Sequence, residues 1–244
     1  MVGSLLLRGL MAGLIAGLIG FGFAELAGEP LVGQAVVLEA TAAAQRGEAP
    51  EPALVSRQVQ SGWGLFTGIM VYATALGGLF SLAFAFAWGR LAWNDARILA
   101  AMLAVGALLA IAYCPALKYP PNPPSVGRPE TIRLRTALYF AMLSWSLLSA
   151  IAAMMAARAL RQSLGPWNAL VSGLLVFTIL AATMAWLLPD IDEVPAAFPA
   201  TLLWHFRMAA LGLQTVLWLS LGVVFGWLVN NYFRAAEEFR EKGA

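Results

Sequence analysis

The stretch that decides the fold is MAALGLQTVLWLSLGVVFGWLVNNYF, residues 208–233, which holds no Asp, Glu, Lys or Arg. As a helix rising about 1.5 Å per residue it exceeds the roughly 30 Å of a bilayer's hydrocarbon core. Similar uncharged runs cover residues 9–24, 58–89, 98–117, 136–157 and 162–189. Of 244 residues 61% are hydrophobic and only 11% are charged, whereas an ordinary soluble domain is about 25% charged. In lipid a backbone must satisfy its own polar groups. The chain therefore reads as an all-α polytopic membrane bundle.

The runs predict a single transmembrane domain over residues 1–244 with about six helices, at 4–27, 62–88, 97–116, 134–158, 167–188 and 204–233, or five if the short first run does not span. The N-terminus, MVGSLLLRGLMAGLIAGLIGFGF, has the Arg-then-apolar layout of a signal peptide but lacks a convincing small-residue cleavage site, so it is read as an uncleaved first span. Within it Gly9, Gly13 and Gly17 recur every four residues and form a stripe that lets another helix approach closely. Trp63, Trp88, Trp93, Trp167, Trp186, Trp204 and Trp227 fall near predicted helix ends, where an amphipathic ring favours the membrane interface.

A six-helix alternation puts the long connections 28–61, 117–133 and 189–203 on one side, opposite the two short ones and both termini. The short-loop side carries Arg8, Arg90, Arg97, Arg158, Arg161, Arg234, Arg240 and Lys242. Short basic loops weigh most in the positive-inside rule, so the termini are expected in the cytoplasm and the long, proline-rich, acidic loops outside.

Those outer loops hold the candidate ligands. Glu25 and Glu29 are four apart, on one face of a helix that Pro30 should end or redirect, and Glu39 follows on a short amphipathic segment. Asp190, Asp192 and Glu193 close the fifth helix, and His205, the only histidine, opens the sixth beside Arg207. Carboxylate oxygens suit hard divalent ions, and adding a neutral imidazole gives a ligand set suited to cobalt, nickel or manganese. Between these clusters lies CPALKYPPNPPSVG, residues 114–127, whose five prolines predict a stiff polyproline-like strut shaping an opening between helices.

Several functions have no foothold. The net charge of +2 gives no nucleic-acid surface, and a single cysteine, Cys114, permits no internal disulfide. GxxxxGK[ST], GxSxG, HExxH and CxxC are all missing, so no catalytic or cofactor-binding residue is assigned and no enzyme is expected. The alternative reading is a membrane-embedded metal-dependent enzyme acting on a lipid or polyprenyl substrate, with Asp190, Asp192 or Glu193 as ligands or acid/base groups and His205 as base.

EPLVGQAVVLEA (29–40), LKYPPNPPSVG followed by PETI and RT (117–136), and LP, EVPAAFPATLLW and FR within 188–207 together resemble the CbtA family of bacterial integral membrane proteins, regarded as probable cobalt transporter subunits. The resemblance runs the length of the chain. It implies a multi-pass inner-membrane subunit for cobalt(II) uptake linked to cobalamin synthesis. It also implies a small single-span partner subunit bearing histidines. The family is commonly described with five spans, one fewer than the count above. Metal candidates on this reading are Glu25, Glu29, Glu39, Asp190, Asp192, Glu193 and His205.

Overall fold

A computed structural model describes residues 2–47, 55–90 and 95–242, with side chains through Glu238. Trp93 and the side chains of Arg240 and Lys242 lie outside the described residues. The helices are α1 (Val2–Phe23), α2 (Glu29–Gln45), α3 (Arg57–Val59), α4 (Leu65–Ala87), α5 (Ala96–Ala107), α6 (Cys114–Lys118), α7 (Ile132–Leu187) and α8 (Ala200–Lys242), and no strand occurs among the described residues. They make five continuous stretches long and apolar enough to cross a membrane, Val2–Gln45, Arg57–Ala87, Ala96–Lys118, Pro129–Leu187 and Ala200–Glu238, the first three joined across short π-helical turns.

The longest stretch is a hairpin. Gly165 has φ +77°, a backbone conformation open to glycine without a Cβ penalty, and Pro166 restarts the helix beyond it. Trp145 Nε1 donates to the Leu180 carbonyl at 2.9 Å, although a straight helix would hold those residues some 50 Å apart. A Cβ on Gly173 would stand 2.9 Å from the Ala153 carbonyl oxygen, so the arms touch backbone to backbone there. The apolar runs 136–157 and 162–189 are thus the two antiparallel arms of α7.

The first stretch corrects an expectation. Pro30 does not end the helix; it is preceded by a π-turn, Ala24–Gly28, and the helix continues to Gln45. Glu39 therefore sits in a continuation of the first helix. The same device precedes Pro115, where the π-turn is Leu108–Tyr113. In each case the residue before the proline donates five residues back, Glu29 to Ala24 and Cys114 to Leu109. A proline ring crowds the carbonyl four residues earlier and offers no N–H, so widening the preceding turn lets the helix run through.

The chain forms two compact units, residues 1–105 with 208–244, and residues 106–207. In the first, α1 lies on α4, and the glycine stripe makes the contact. A Cβ on Gly77 would fall 2.1 Å from the Gly9 carbonyl oxygen, and one on Gly13 would fall 2.4 Å from the Ala73 carbonyl oxygen. Phe225 of α8 inserts edge-on between Phe80 and Phe84 at 5.3 and 5.1 Å, the geometry that aromatic quadrupoles favour. At one end of this unit the Arg8 guanidinium lies 3.9 Å over the Tyr232 ring and Trp88 meets Phe233 at 4.8 Å. The N-terminal segment and the end of α8 are therefore together. The second unit holds α6, the α7 hairpin and the loops at its open end. One buried cluster in it is Cys114, Met142 and Ala181, with Tyr119, Phe177, Met184, Ala185 and Leu188 packed against it. Large apolar side chains such as Val71, Phe86 and Trp186 remain exposed along the spans, as lipid-facing positions require.

Candidate functional site

Three of the six candidate carboxylates, Glu29, Asp190 and Glu193, are held by cations of their own unit. In the first unit Glu29, at the start of α2, takes a salt bridge from Arg57 of α3 and is largely shielded. Glu25 is exposed in the π-turn itself, and Glu39 is exposed on α2. The turn also changes the backbone at Glu25. With Glu29 N–H committed to Ala24, the next donor in that register would be Pro30, which has none. Pro30 therefore offers the Glu25 carbonyl no N–H. At the equivalent place ahead of Pro115 the freed carbonyl is that of Ala110, and the buried Ser146 hydroxyl donates to it at 2.7 Å.

In the second unit the loop after α7 is fastened to the proline-rich loop at three points. The Asp190 carboxylate accepts from Lys118 Nζ, and Tyr119 Oη donates to the Pro189 carbonyl at 2.8 Å. The Glu193 side chain, 7% exposed, accepts the Arg128 backbone N–H at 2.8 Å and lies 3.4 Å from Arg135 Nε. Arg135 in turn covers Gly127, where a Cβ would stand 2.4 Å from a guanidinium nitrogen. Arg207 Nη2 donates to Asn122 Oδ1 at 2.9 Å, which ties the start of α8 to the same loop. Hydrogen bonding from Thr131 chiefly lowers the Glu193 pKa; its backbone partner and the charge of Arg135 add to this, and burial opposes it. Burial raises that of Tyr119, partly offset by Lys118.

The proline segment is consequently a pinned loop rather than a straight strut. Cys114–Lys118 remains helical despite Pro115, the chain reverses at Pro123–Val126 through a 3.2 Å hydrogen bond, and Ser125 takes φ +71°. Asp192 caps its own loop by accepting the Val194 N–H at 3.3 Å, and His205 is exposed on α8. Among the described residues no three His, Cys, Asp or Glu side chains converge where a metal ion would be held. Lys118, Arg128 and Arg135 flank the proline segment in the sequence, and the structure pairs Asp190 with Lys118 and Glu193 with Arg128 and Arg135.

An all-helical chain with five stretches long and apolar enough to cross a membrane defines a polytopic integral membrane protein. More specifically, the chain belongs to the CbtA family: the family's sequence model, described as probable cobalt transporter subunit (CbtA), matches residues 2–230. No curated protein and no solved structure shows significant similarity to it.

Proposed function

We propose that this chain is the multi-pass subunit of a cobalt(II) uptake system in a bacterial inner membrane, with termini in the cytoplasm and acidic loops outside gathering the ion ahead of passage. Membership of the CbtA family over residues 2–230 carries the reading. Of the seven candidate ligands, Glu25, Glu29, Glu39, Asp190, Asp192, Glu193 and His205, we assign first contact to Glu25. It is exposed and lies in the π-turn ahead of Pro30, which has no N–H to offer the Glu25 carbonyl. Hard oxygens of this kind exchange an ion quickly and hold it weakly, which suits entry. Glu29, Asp190 and Glu193 bear cations already, so they act as competitors that release the ion onward rather than as a closed cage. A single-span, histidine-bearing subunit would supply nitrogen ligands that this chain has only at His205, and cobalamin synthesis would consume the cargo.

The lipid-modifying alternative needs Asp190, Asp192, Glu193 and His205 free for chemistry. Asp190 and Glu193 are ion-paired, which argues against it. The test is cobalt uptake into cells or vesicles containing the full chain with its partner. Glu25→Gln is expected to lower initial uptake severalfold at limiting cobalt while leaving protein levels intact. Wild-type rates in that variant refute the assignment of Glu25, and absence of any divalent uptake by the wild-type assembly refutes the reading as a whole.

A further inference from the structure

Arg207, in the second unit, is a partly buried cation that meets no acid. Lys118 is paired with Asp190 and Arg135 with Glu193, whereas the partner of Arg207 is neutral: Nη2 donates to Asn122 Oδ1 at 2.9 Å. Among the described residues no carboxylate pairs with Arg207, and its Nε is buried with no hydrogen-bond acceptor. A guanidinium keeps its charge in a protein, so withdrawing it from water without a counter-charge is costly. Exposed arginines such as Arg161 are relieved by water; Arg207 is partly removed from it. Its depth is also fixed. Trp204, exposed and three residues earlier on α8, marks the level of the membrane interface, and the uncharged run 208–233 begins directly after Arg207. Side chains on a helix lean toward its N-terminus, so the guanidinium points back out of the hydrocarbon toward the proline loop, where Asn122 meets it. That is the level of phospholipid phosphates.

We propose that Arg207 and Asn122 form a seat for the phosphate of one anionic phospholipid. The inference rests on the membrane class alone and is independent of the cobalt reading. By accepting from Nη2, Asn122 fixes the plane of the guanidinium; Arg207 Nη1 and the Asn122 amide nitrogen then remain to donate to phosphate oxygens, for which the planar fork of arginine is suited. Charge selects the lipid. Phosphatidylethanolamine carries its own ammonium and reaches Arg207 with no net charge, whereas phosphatidylglycerol brings the single negative charge that Arg207 lacks among the described residues. The competing explanation is that Arg207 merely extends its charge into interfacial water, and the experiment separates the two.

The full chain is exchanged into equimolar mixtures of phosphatidylglycerol and phosphatidylethanolamine, and retained lipid is read by native mass spectrometry. Thermal unfolding with and without each lipid gives a second reading, since a ligand of the folded state raises its stability. The wild type is expected to retain one phosphatidylglycerol in preference to phosphatidylethanolamine by about fivefold or more. Arg207→Gln keeps a donor for Asn122 but removes the charge, and is expected to lose the preference. Asn122→Asp, nearly isosteric, gives Arg207 a carboxylate within the chain. It is expected to lose the preference too and, without lipid, to unfold at a higher temperature than the wild type, so misfolding does not account for its loss. Arg161→Gln, an exposed arginine of the α7 hairpin, is expected to keep the preference. Equal retention of the two lipids by the wild type, a preference unchanged in both Arg207→Gln and Asn122→Asp, an equal loss in Arg161→Gln, or displacement of phosphatidylglycerol by excess inorganic phosphate would each overturn the proposal.

Discussion

Replacing Gly77 by alanine tests the contact on which the first unit rests. The new Cβ would sit 2.1 Å from the Gly9 carbonyl oxygen and 2.9 Å from the Gly13 Cα. A carbon against a carbonyl oxygen normally stands about 3.3–3.6 Å away, so α1 and α4 must part by roughly 1 Å. A gap of that size forfeits about a quarter to a half of each van der Waals well along the seam. Overpacking typically costs about 1–3 kcal/mol. The upper end applies here because both obstacles are backbone and no rotamer change relieves them. Alanine returns roughly 0.5–1 kcal/mol through its better helix propensity, leaving a net destabilisation of about 2 kcal/mol. Gly68 provides an internal control: it lies on the same helix, and a Cβ there meets nothing within 4 Å. Gly68→Ala is expected to be neutral or stabilising by about 0.5–1 kcal/mol. Unfolding in mixed micelles of rising denaturing-detergent content, or by steric trapping, reads both. If the two variants agree within about 0.5 kcal/mol, the idea that the glycine stripe sets the α1–α4 separation fails.

Three further outcomes are expected. Ser146→Ala removes the side-chain donor to the Ala110 carbonyl in a buried setting and should cost about 1–3 kcal/mol by the same unfolding assay; a cost under about 0.5 kcal/mol would mean the freed carbonyl finds another partner. Gly165→Val forces a β-branched residue into φ +77° and should cost about 1–3 kcal/mol, read as loss of the close approach between Trp145 and Leu180 in crosslinking of engineered cysteine pairs. The Glu193 carboxyl is held below the ordinary glutamate value by Thr131, Arg128 and Arg135, so its ionised form stabilises the folded loops. That contribution is complete above about pH 4.3 and is lost as pH falls through the depressed folded value. Amide exchange over residues 119–131 should accelerate in that acid window in the wild type and already at neutral pH in Glu193→Gln. Exchange unchanged by the substitution would show the Arg135–Glu193 tie to be immaterial.

Charge-free run lengths made the membrane class and most crossing segments legible, because the cost of burying a charge in hydrocarbon leaves long unambiguous gaps between ionisable residues. The glycine stripe was legible for the same kind of reason, since spacing by four on a helix has one spatial meaning. Proline misled. Pro30 reads as a stop or a redirection and Pro115 as the head of a strut, but a π-turn just before each lets the helix continue. Nothing local in AELAG or LLAIAY announces such a turn; it is decided by packing and by the group that satisfies the freed carbonyl. The carboxylates were legible as residues but not as ligands. Whether Asp190 faces an ion or Lys118 depends on how loops seventy residues apart fold against each other.

A π-turn adds one residue to a helix without adding a turn, so the helix beyond it is rotated by about 100° from the phase an uninterrupted α-helix would have. The seven-residue neighbourhood Phe23–Glu29 is thus a phase-setting element as much as a bend: it decides which azimuth Glu29 presents, and so whether Arg57 can reach it. Narrowing Ala24–Gly28 to an ordinary α-turn with every residue kept would turn all of α2 by more than a quarter of a circle, whereas deleting one of these residues would absorb the change and hold α2 in phase. For this chain the count of residues between the first span and Pro30 carries as much information as their identity.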